Sequence, residues 1–452
     1  MEELLQLIEE KKFAQARPRL ICLQAADIAE IITDVDAHSQ IILFRILPKE
    51  LAAETFVELD SHIQEMLIKG FTRPELKAVF DELFVDDLVD IIEEMPANVA
   101  KRIIAVADEQ TRQEVNELLK YPSSSAGAIM TTEFVSLKST MTVAEAFERI
   151  RITGIDKETI YTCYVTDQQR HLMGLCTIRS MVLANMNDLV GKIMNTQIVY
   201  ANTFEDKEEV AKKLAKYGFV ALPVVDNELR LVGIVTVDDA MDVLEQEATE
   251  DIHKMGALLP SGESYMKTPI IKQFANRIVW LLILMVSGIL TGLVITHYEN
   301  VFVALPLVVA FIPRLMDTGG NCGAQSSTLI IRALALDEVE PKDIFKIMFR
   351  EFCVGALVGL TLAIVNVPII WIMYAHKVAT SAQVWLLTLA FGITLFIVAI
   401  FSKLLGCTLP ILAKKCKLDP ALMASPIITT IVDVVSVLLY FMIVQGIVLP
   451  VM

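Results

Sequence analysis

Along residues 1–122, apolar side chains recur three and four positions apart, as in Ile28–Ile32, Ile41–Leu47 and Leu83–Ile92. That spacing predicts amphipathic helices throughout the segment. Pro48, Pro74, Pro96 and Pro122 mark the turns between them,. Helix pairs such as LPKELAAETFVELD and LFVDDLVDIIEEMPANVAKRII look like degenerate repeats of a helical superhelix,. The run Pro122-Ser123-Ser124-Ser125 then predicts a linker,.

The next two segments, 123–185 and 186–245, are an internal duplication. MTTEFVSLKSTMTVAEAF at Met130 answers MNTQIVYANTFEDKEEVA at Met194, and HLMGLCTIRSMV at His171 answers RLVGIVTVDDAM at Arg230. In each copy a short β-rich pair runs into a Gly-x-x-Thr turn and then a helix. This arrangement resembles a tandem pair of CBS domains, which implies one pseudo-twofold unit that senses a ligand rather than catalyses. The second copy continues into an acidic connecting helix over 238–272.

From 273 to 452 the pattern changes to long apolar runs. Ile278–Ile295 holds 18 residues without a charge, and Phe352–Ala375, Val378–Ser402 and Ala421–Met452 follow. Each approaches or exceeds the roughly 20 residues needed to cross a ~30 Å hydrocarbon core. Val301–Leu336 is apolar at both ends but interrupted by PRLMDTGGNCGAQSS; counting it predicts five spans. The fold class expected is therefore multi-domain: an all-α superhelix, an α/β CBS pair and an all-α five-span membrane domain.

Lysines and arginines orient the spans. Lys267, Lys272 and Arg277 precede the first; Arg332, Lys342, Lys346 and Arg350 lie between the second and third; Lys403, Lys414, Lys415 and Lys417 lie between the fourth and fifth. The alternate loops, His297–Asn300 and His376–Gln383, hold only Lys377. The positive-inside bias puts the first 277 residues in the cytoplasm of a cell (inner) membrane protein. The charged, amphipathic start MEELLQLIEEKK predicts no cleavable signal peptide,.

Composition sharpens this picture. Over 452 residues, 39 Lys+Arg against 55 Asp+Glu leave a net charge of −16, with 54% apolar residues and a mean hydropathy of +0.54. A wholly soluble enzyme is excluded, as is a nucleic-acid partner, which wants a basic footprint. Seven cysteines form no CxxC pair and predict reduced thiols,. No Gly-x-Ser-x-Gly, P-loop or HExxH motif occurs, and the six histidines are scattered, so no catalytic residue is expected. Cys322 has no evident His base and reads as a small packing residue.

Asp433 is the sharpest chemical signal. It is the only charged side chain after Asp419 and sits in SPIITTIVDVVSVLLYFMIV. A helix beginning near Ser425 carries it about 12 Å inward at 1.5 Å per residue. A carboxylate at that depth is costly and should face water, a cation or a partner helix. Pro426, Thr429, Ser436 and Tyr440 share its face by helical spacing, as a pore lining requires. The competing reading is a protonated Asp433 bonded to a neighbouring helix. In the interrupted span, Pro306, Pro313, Gly319, Gly320 and Gly323 predict irregular backbone, tolerated at membrane depth only around a cavity or within protein. Asn321, Gln325, Ser326 and Ser327 would add oxygens there, and Arg314 would pair with Asp317; a kinked helix with small packing residues is the alternative. In the connecting helix Asp239 and Asp242, and Glu247 with Glu250 and Asp251, share faces, where like charges repel unless a cation lies between them. Asp86, Asp87 and Asp90 crowd one helical turn, and Glu54 lies in another helix. Singly, each reads first as a solvated face; taken together, beside a membrane carboxylate, metal binding is an equal reading.

Taken together, LVGIVTVDDAMDVLEQEATEDIHKMGA, DTGGNCGAQSSTLIIRALA and LDPALMASPIITTIVDVVS resemble the MgtE family of magnesium channels over essentially the whole length. The resemblance implies a homodimer in the lipid bilayer with one pore on its axis, lined by the second and fifth spans. Mg2+ would pass Asp433, with Pro313, Asn321, Thr429 and Pro426 in the pore and Asp419 at its cytoplasmic mouth. Cytoplasmic Mg2+ bound at Glu54, Asp86, Asp90, Glu208, Asp239, Asp242, Glu247, Glu250 and Asp251 would hold the pore closed. It also offers ATP a site near Arg179 and Phe219, although Thr177-Ile178-Arg179-Ser180 lacks the acid that contacts a ribose. Gly218 stands before Phe219 where relatives carry an acid, and Ala324 where an amide is common. A hard, oxygen-preferring ion suits carboxylates without Cys or His ligands, which leaves Ca2+, Mn2+ and Co2+ open as well. The alternative function is a Na+- or H+-coupled divalent cation carrier regulated by its CBS domains; one mid-span carboxylate and no inverted repeat favour the channel.

Overall fold

A computed structural model describes residues 2–155, 157–260, 265, 268–374, 381–423 and 425–451. Lys267 and the segment 375–380, with Ala375, His376, Lys377 and the expected span start at Val378, lie outside the described residues. The chain divides into two compact units, Met1–Glu245 and Gln246–Met452.

The first unit begins with short helices of 8–10 residues, from Glu2–Glu9 to Glu109–Leu118. Their ends are where the sequence places them: Pro48 and Pro96 precede helices, and Thr72 with Glu75 closes a reciprocal capping box,. Helices pack on the next but one, Ala25–Thr33 on Lys49–Val57 and Lys49–Val57 on Arg73–Phe80. That stacking is how a superhelix buries a continuous core, here built around Phe44, Phe56, Phe71 and Phe80,. One of these helices, α1 (Val85–Glu94), carries Asp86, Asp87 and Asp90.

Two three-stranded sheets follow: β1 (Phe134–Lys138), β2 (Thr159–Thr166) and β3 (Leu172–Thr177), then β4 (Ala201–Asn202), β5 (Ala221–Val225) and β6 (Leu231–Thr236). Each pairs its first two strands parallel and its last two antiparallel. The duplication is reciprocal in space. Thr131 N donates to Ile234 O at 2.8 Å and Leu175 N to Asn195 O at 3.0 Å, so the start of each copy adds to the last strand of the other. Gly174 and Gly233 permit this, since a Cβ on either would lie 2.8 and 2.7 Å from the Sδ of Met194 and Met130.

The connecting helix α2 (Val237–Met255) runs from the last residues of the first unit into the first of the second. The second unit holds α3 (Ile270–His297), α4 (Ile312–Ala335), α5 (Ile344–Tyr374), α6 (Ser381–Lys415) and α7 (Ser425–Ile447). Among the described residues, four helices are long and apolar enough to cross a membrane: those over Ile270–His297, Pro341–Met373, Val384–Lys415 and Pro420–Ile447. The 24-residue α4 does not meet that measure, because polar residues punctuate it.

Three expectations change here. The glycine-rich stretch is not irregular: α4 is continuous helix through Gly319, Gly320 and Gly323, and the irregular part is a 3-10 turn at Pro306–Phe311. Pro306 and Pro313 occupy first-turn positions, where a missing N–H costs nothing,. The glycines instead admit neighbours closely: a Cβ on Gly319 would lie 2.7 Å from Val432 Cγ1, and one on Gly323 2.6 Å from Ile428 Cγ2. Arg314 does not turn to Asp317 but donates to Asn366 Oδ1 at 2.7 Å. Finally, Lys403 is no loop residue. Helix α6 continues to Lys415, and Lys403 is buried within it.

Candidate functional site

In the first unit, tertiary approach crowds carboxylates around α1. Its N-terminal turn attracts negative charge, because the first N–H groups lack partners; Glu133, just ahead of β1, accepts from Val85 N at 3.0 Å. Burial, then Asp239, Asp87 and Glu158, push Asp86 well above the carboxylate range. Burial and the charges of Asp238, Glu133 and Glu58 push Asp87 to about 6. Burial, followed by Asp238 and Asp239, pushes Glu158 to about 8, and its Oε2 has no hydrogen-bond partner among the described residues. Asp239 rises to about 7, by burial against the opposing bond from Thr236 Oγ1. Asp90 is raised to about 7 by desolvation and then by Asp239 and Asp87, yet its side chain is exposed by surface area. Water screens it most, so it contributes least to the repulsion.

Among the described residues none of Asp86, Asp87, Asp90, Glu158 and Asp239 has a basic ion-pair partner, and no three His, Cys, Asp or Glu side chains converge as a closed ligand set. The remaining residues named from sequence are not among these carboxylates. Glu54 and Asp242 are exposed, and Glu58, rather than Glu54, acts on Asp87. Glu208 pairs with Lys212 at 2.9 Å. Glu247, Glu250 and Asp251 belong to the second unit and are partly buried. Arg179 is exposed, and Phe219 stacks on Tyr217 with ring centroids 5.4 Å apart.

In the second unit, Asp433 lies half-buried on α7, with no hydrogen bond or ion pair among the described residues. Thr429 Oγ1 bonds back to Pro426 O at 3.0 Å. The polar face expected around Asp433 divides: Thr429 and Pro426 are half-buried, whereas Ser436 and Tyr440 are fully buried. Tyr440 Oη donates to Val308 O at 3.3 Å, because α7 turns that side against the 3-10 turn before α4. Helix α4 supplies a different stripe. Pro313, Asp317, Asn321, Gln325, Thr328 and Arg332 are all exposed at three- and four-residue spacing, while Leu315, Gly319, Cys322, Ser326 and Ile330 face inward,. Asn321 Nδ2 donates to Asp317 Oδ1 at 3.2 Å.

Asp419 caps the turn before α7, accepting from Ala421 N at 2.8 Å, and its other oxygen accepts from Lys254 Nζ at 2.5 Å. Lys254 also pairs with Glu250 one turn back. Partial burial opposes its charge, but the bonds to Asp419 and Glu250 win and raise the ammonium above its usual range. Periodicity and motif spacing do not point to Lys254, Glu158, Glu133 or the buried Lys403. Only the charge inside the α6 pattern could signal one of them.

Comparison with known proteins matches the segments of this chain one by one. The family model for MgtE, described as a divalent cation transporter, matches residues 312–443. The MgtE intracellular N domain matches 23–124, and the CBS domain matches 126–186 and 190–246. A magnesium transporter MgtE of Thermus thermophilus is 36% identical over 418 residues, 92% of this chain and 91% of that one. One of Bacillus subtilis is 29% identical over 440 residues, 96% and 94%. The crystal structure of the cytosolic domain of the Mg2+ channel MgtE in complex with ATP is 35% identical, with a TM-score of 0.51, and covers 54% of this chain and 100% of its own.

Proposed function

This chain belongs to the MgtE family of divalent cation transporters, and from that premise we propose that it is a Mg2+-selective membrane channel closed by cytoplasmic Mg2+. The observation that carries the reading is the exposed polar stripe of α4, Asp317–Asn321–Gln325, in a helix packed among apolar spans beside the half-buried Asp433 of α7. Such a stripe cannot face lipid without leaving its polar groups unsatisfied. A second copy related by a closed twofold axis would enclose it around water and bring two Asp433 carboxylates to one path. Two carboxylates with amide and hydroxyl oxygens suit a cation that gives up its waters reluctantly. Asp419 would gather the ion at the cytoplasmic end.

The first unit supplies the sensor. Asp86, Asp87, Glu158 and Asp239 repel one another without metal, so the arrangement that brings them together is favoured when a dication lies among them. A ligand shifts such an equilibrium only by its differential affinity for the two states. ATP is a ligand of the homologous cytosolic domain; here the first CBS copy lacks the ribose-contacting acid at Thr177-Ile178-Arg179-Ser180, which favours Mg2+ over ATP as the regulator. Patch recording from reconstituted protein, with Mg2+ varied on each side, tests both parts. Unitary Mg2+ currents that fall as internal Mg2+ rises are expected. Transport that requires a Na+ or H+ gradient and shows no unitary current would overturn the channel in favour of a carrier.

A further inference from the structure

Lys403 stands in the interior of the second unit with 4% of its surface exposed. Its Nζ donates to Ser326 Oγ at 3.4 Å, and Ser326 Oγ in turn donates to Glu351 Oε2 at 2.5 Å. The three side chains come from α6, α4 and α5, so one hydroxyl joins an ammonium on one helix to a carboxylate on another. Ser326 has no exposed surface at all. An ionised side chain inside a membrane domain is costly and rare, and it marks a function more often than a packing accident. Nothing in the proposed conduction path uses this group.

Its place on α4 is informative. Ser326 follows Gln325 directly and is five residues beyond Asn321, on the opposite side of the helix from the exposed stripe. On the same inner side, a Cβ on Gly323 would meet the Ser402 carbonyl at 3.3 Å, so α4 and α6 touch backbone to backbone beside the relay. Glycines and small residues set how closely the helices approach, but they leave rotation about the helix axis cheap. A directional bond through Ser326 removes that freedom. With side chains about 5 Å from the axis, a rotation of roughly 20° moves an outward group by about 2 Å. Mg2+ demands near-octahedral oxygens, whereas Ca2+ accepts longer and more flexible coordination, so shifts of this size separate the two ions.

We propose that Lys403, acting through Ser326 and Glu351, is a positioning residue that fixes the rotation of α4 and so the spacing of Asp317, Asn321 and Gln325 on which Mg2+ selectivity depends. The proposal rests on the reading of α4 as pore-lining. The experiment compares Mg2+ and Ca2+ currents in the same patch, because their ratio does not depend on how many channels have folded. The variants are Ser326→Ala, Lys403→Met and the charge-free pair Lys403→Met/Glu351→Gln, each full-length and reconstituted. Ser326→Ala removes the bridging hydroxyl and leaves both charges; it should reduce the Mg2+/Ca2+ ratio about tenfold while its dimer mass is unchanged. Lys403→Met alone leaves the half-buried Glu351 without the ammonium that Ser326 links to it and should lower the yield of folded protein,. The double variant should restore that yield but not the ratio. Wild-type ratios in both Ser326→Ala and the double variant would overturn the proposal while leaving the channel reading intact. Absence of Mg2+ current in the wild type would overturn the channel reading, and the positioning role with it.

Discussion

The two units handle negative charge in opposite ways. Around α1 the first unit gathers Asp86, Asp87, Glu158 and Asp239, raises their proton affinity by burial and mutual repulsion, and gives them no basic partner among the described residues. The second unit has few charges inside it and matches them: Lys403 with Ser326 and Glu351, Arg314 with Asn366, Lys254 with Asp419 and Glu250. Asp433 is the exception. A dense, uncompensated cluster suits a sensor, since several carboxylates on one dication give the affinity that differential binding needs. A lone carboxylate suits the proposed conduit, since an ion that binds too tightly does not leave. The contrast turns on number and compensation, for the residue types are the same.

Removing the exception should have the largest effect. Asp433→Ala deletes a carboxylate that has no hydrogen bond or ion pair among the described residues, and Mg2+ current should fall by about two orders of magnitude or more, or lose its preference for Mg2+. Asp433→Asn keeps the size and should behave alike. Wild-type selectivity in either variant, read as unitary current against Ca2+, removes the conduit side of the comparison.

Thinning the cluster should act next. Asp86→Asn/Glu158→Gln/Asp239→Asn keeps shapes while removing three groups that can ionise to hold a dication, so the coupling of metal binding to their ionisation disappears with the ligands. The internal Mg2+ needed to close the channel should rise about tenfold or more, with the single-channel Mg2+ current unchanged. Protease protection of the first unit, titrated with Mg2+, reports the same shift independently. An unchanged closing concentration would return these acids to the status of solvated helix faces.

Acidity probes the cluster without mutation. Folded, Asp87, Asp239 and Glu158 hold protons up to pH values of about 6, 7 and 8; unfolded, they release them near pH 4. Between those limits the folded state binds more protons, so without metal the stability of the first unit should fall as pH rises from about 4 to about 8. Its favourable extreme is the acid end, opposite to a salt-bridged carboxylate. Dications bind the ionised form and release protons, so saturating Mg2+ should flatten this slope and its apparent affinity should weaken as pH drops below about 7. Thermal unfolding followed in EDTA and in Mg2+ checks both. A metal-free unit that gains stability up to pH 8 would refute the uncompensated cluster.

Much of this contrast is legible in the amino-acid sequence itself. The spacing of Ile28–Ile32 and Leu83–Ile92 is helical, the duplication around Met130 and Met194 predicts the paired sheets, and a charge in the run around Asp433 is visible in a single line of sequence. Asp86, Asp87, Asp90 and Asp239 stand out because they sit on periodic helices. Glu158 does not, since it lies between a helix and β2 and reaches the cluster only through tertiary approach. The pattern misplaces Lys403 for a related reason: a charge ends a hydropathy run, although a buried partner lets the helix continue through it. The glycines of α4 resemble breaks because composition does not distinguish backbone that bends from backbone that is closely approached. Contacts such as Val432 against Gly319 decide that.

The smallest effect concerns the compensated end of the contrast, where Lys254 of α2 holds Asp419. The Lys254 side chain keeps 19% of its surface exposed and that of Asp419 29%, so this pair is neither fully screened nor fully buried. Met255, next to Lys254, packs with Ile331 of α4 and with Ala421 in the turn before α7, giving the ion pair an apolar seat. Both elements beside the proposed path are thus touched by the end of the connecting helix. In Lys254→Ala, Glu250 and Asp419 lose their shared ammonium and repel, while the apolar contact remains. A partly exposed pair contributes on the order of 1 kcal/mol, so the current that persists at saturating internal Mg2+ should rise only a few-fold. Lys254→Arg, which keeps the charge, should stay near wild type. A residual current in Lys254→Ala equal to that of wild type would mean that the ion pair is incidental and that Met255 alone seats the helix.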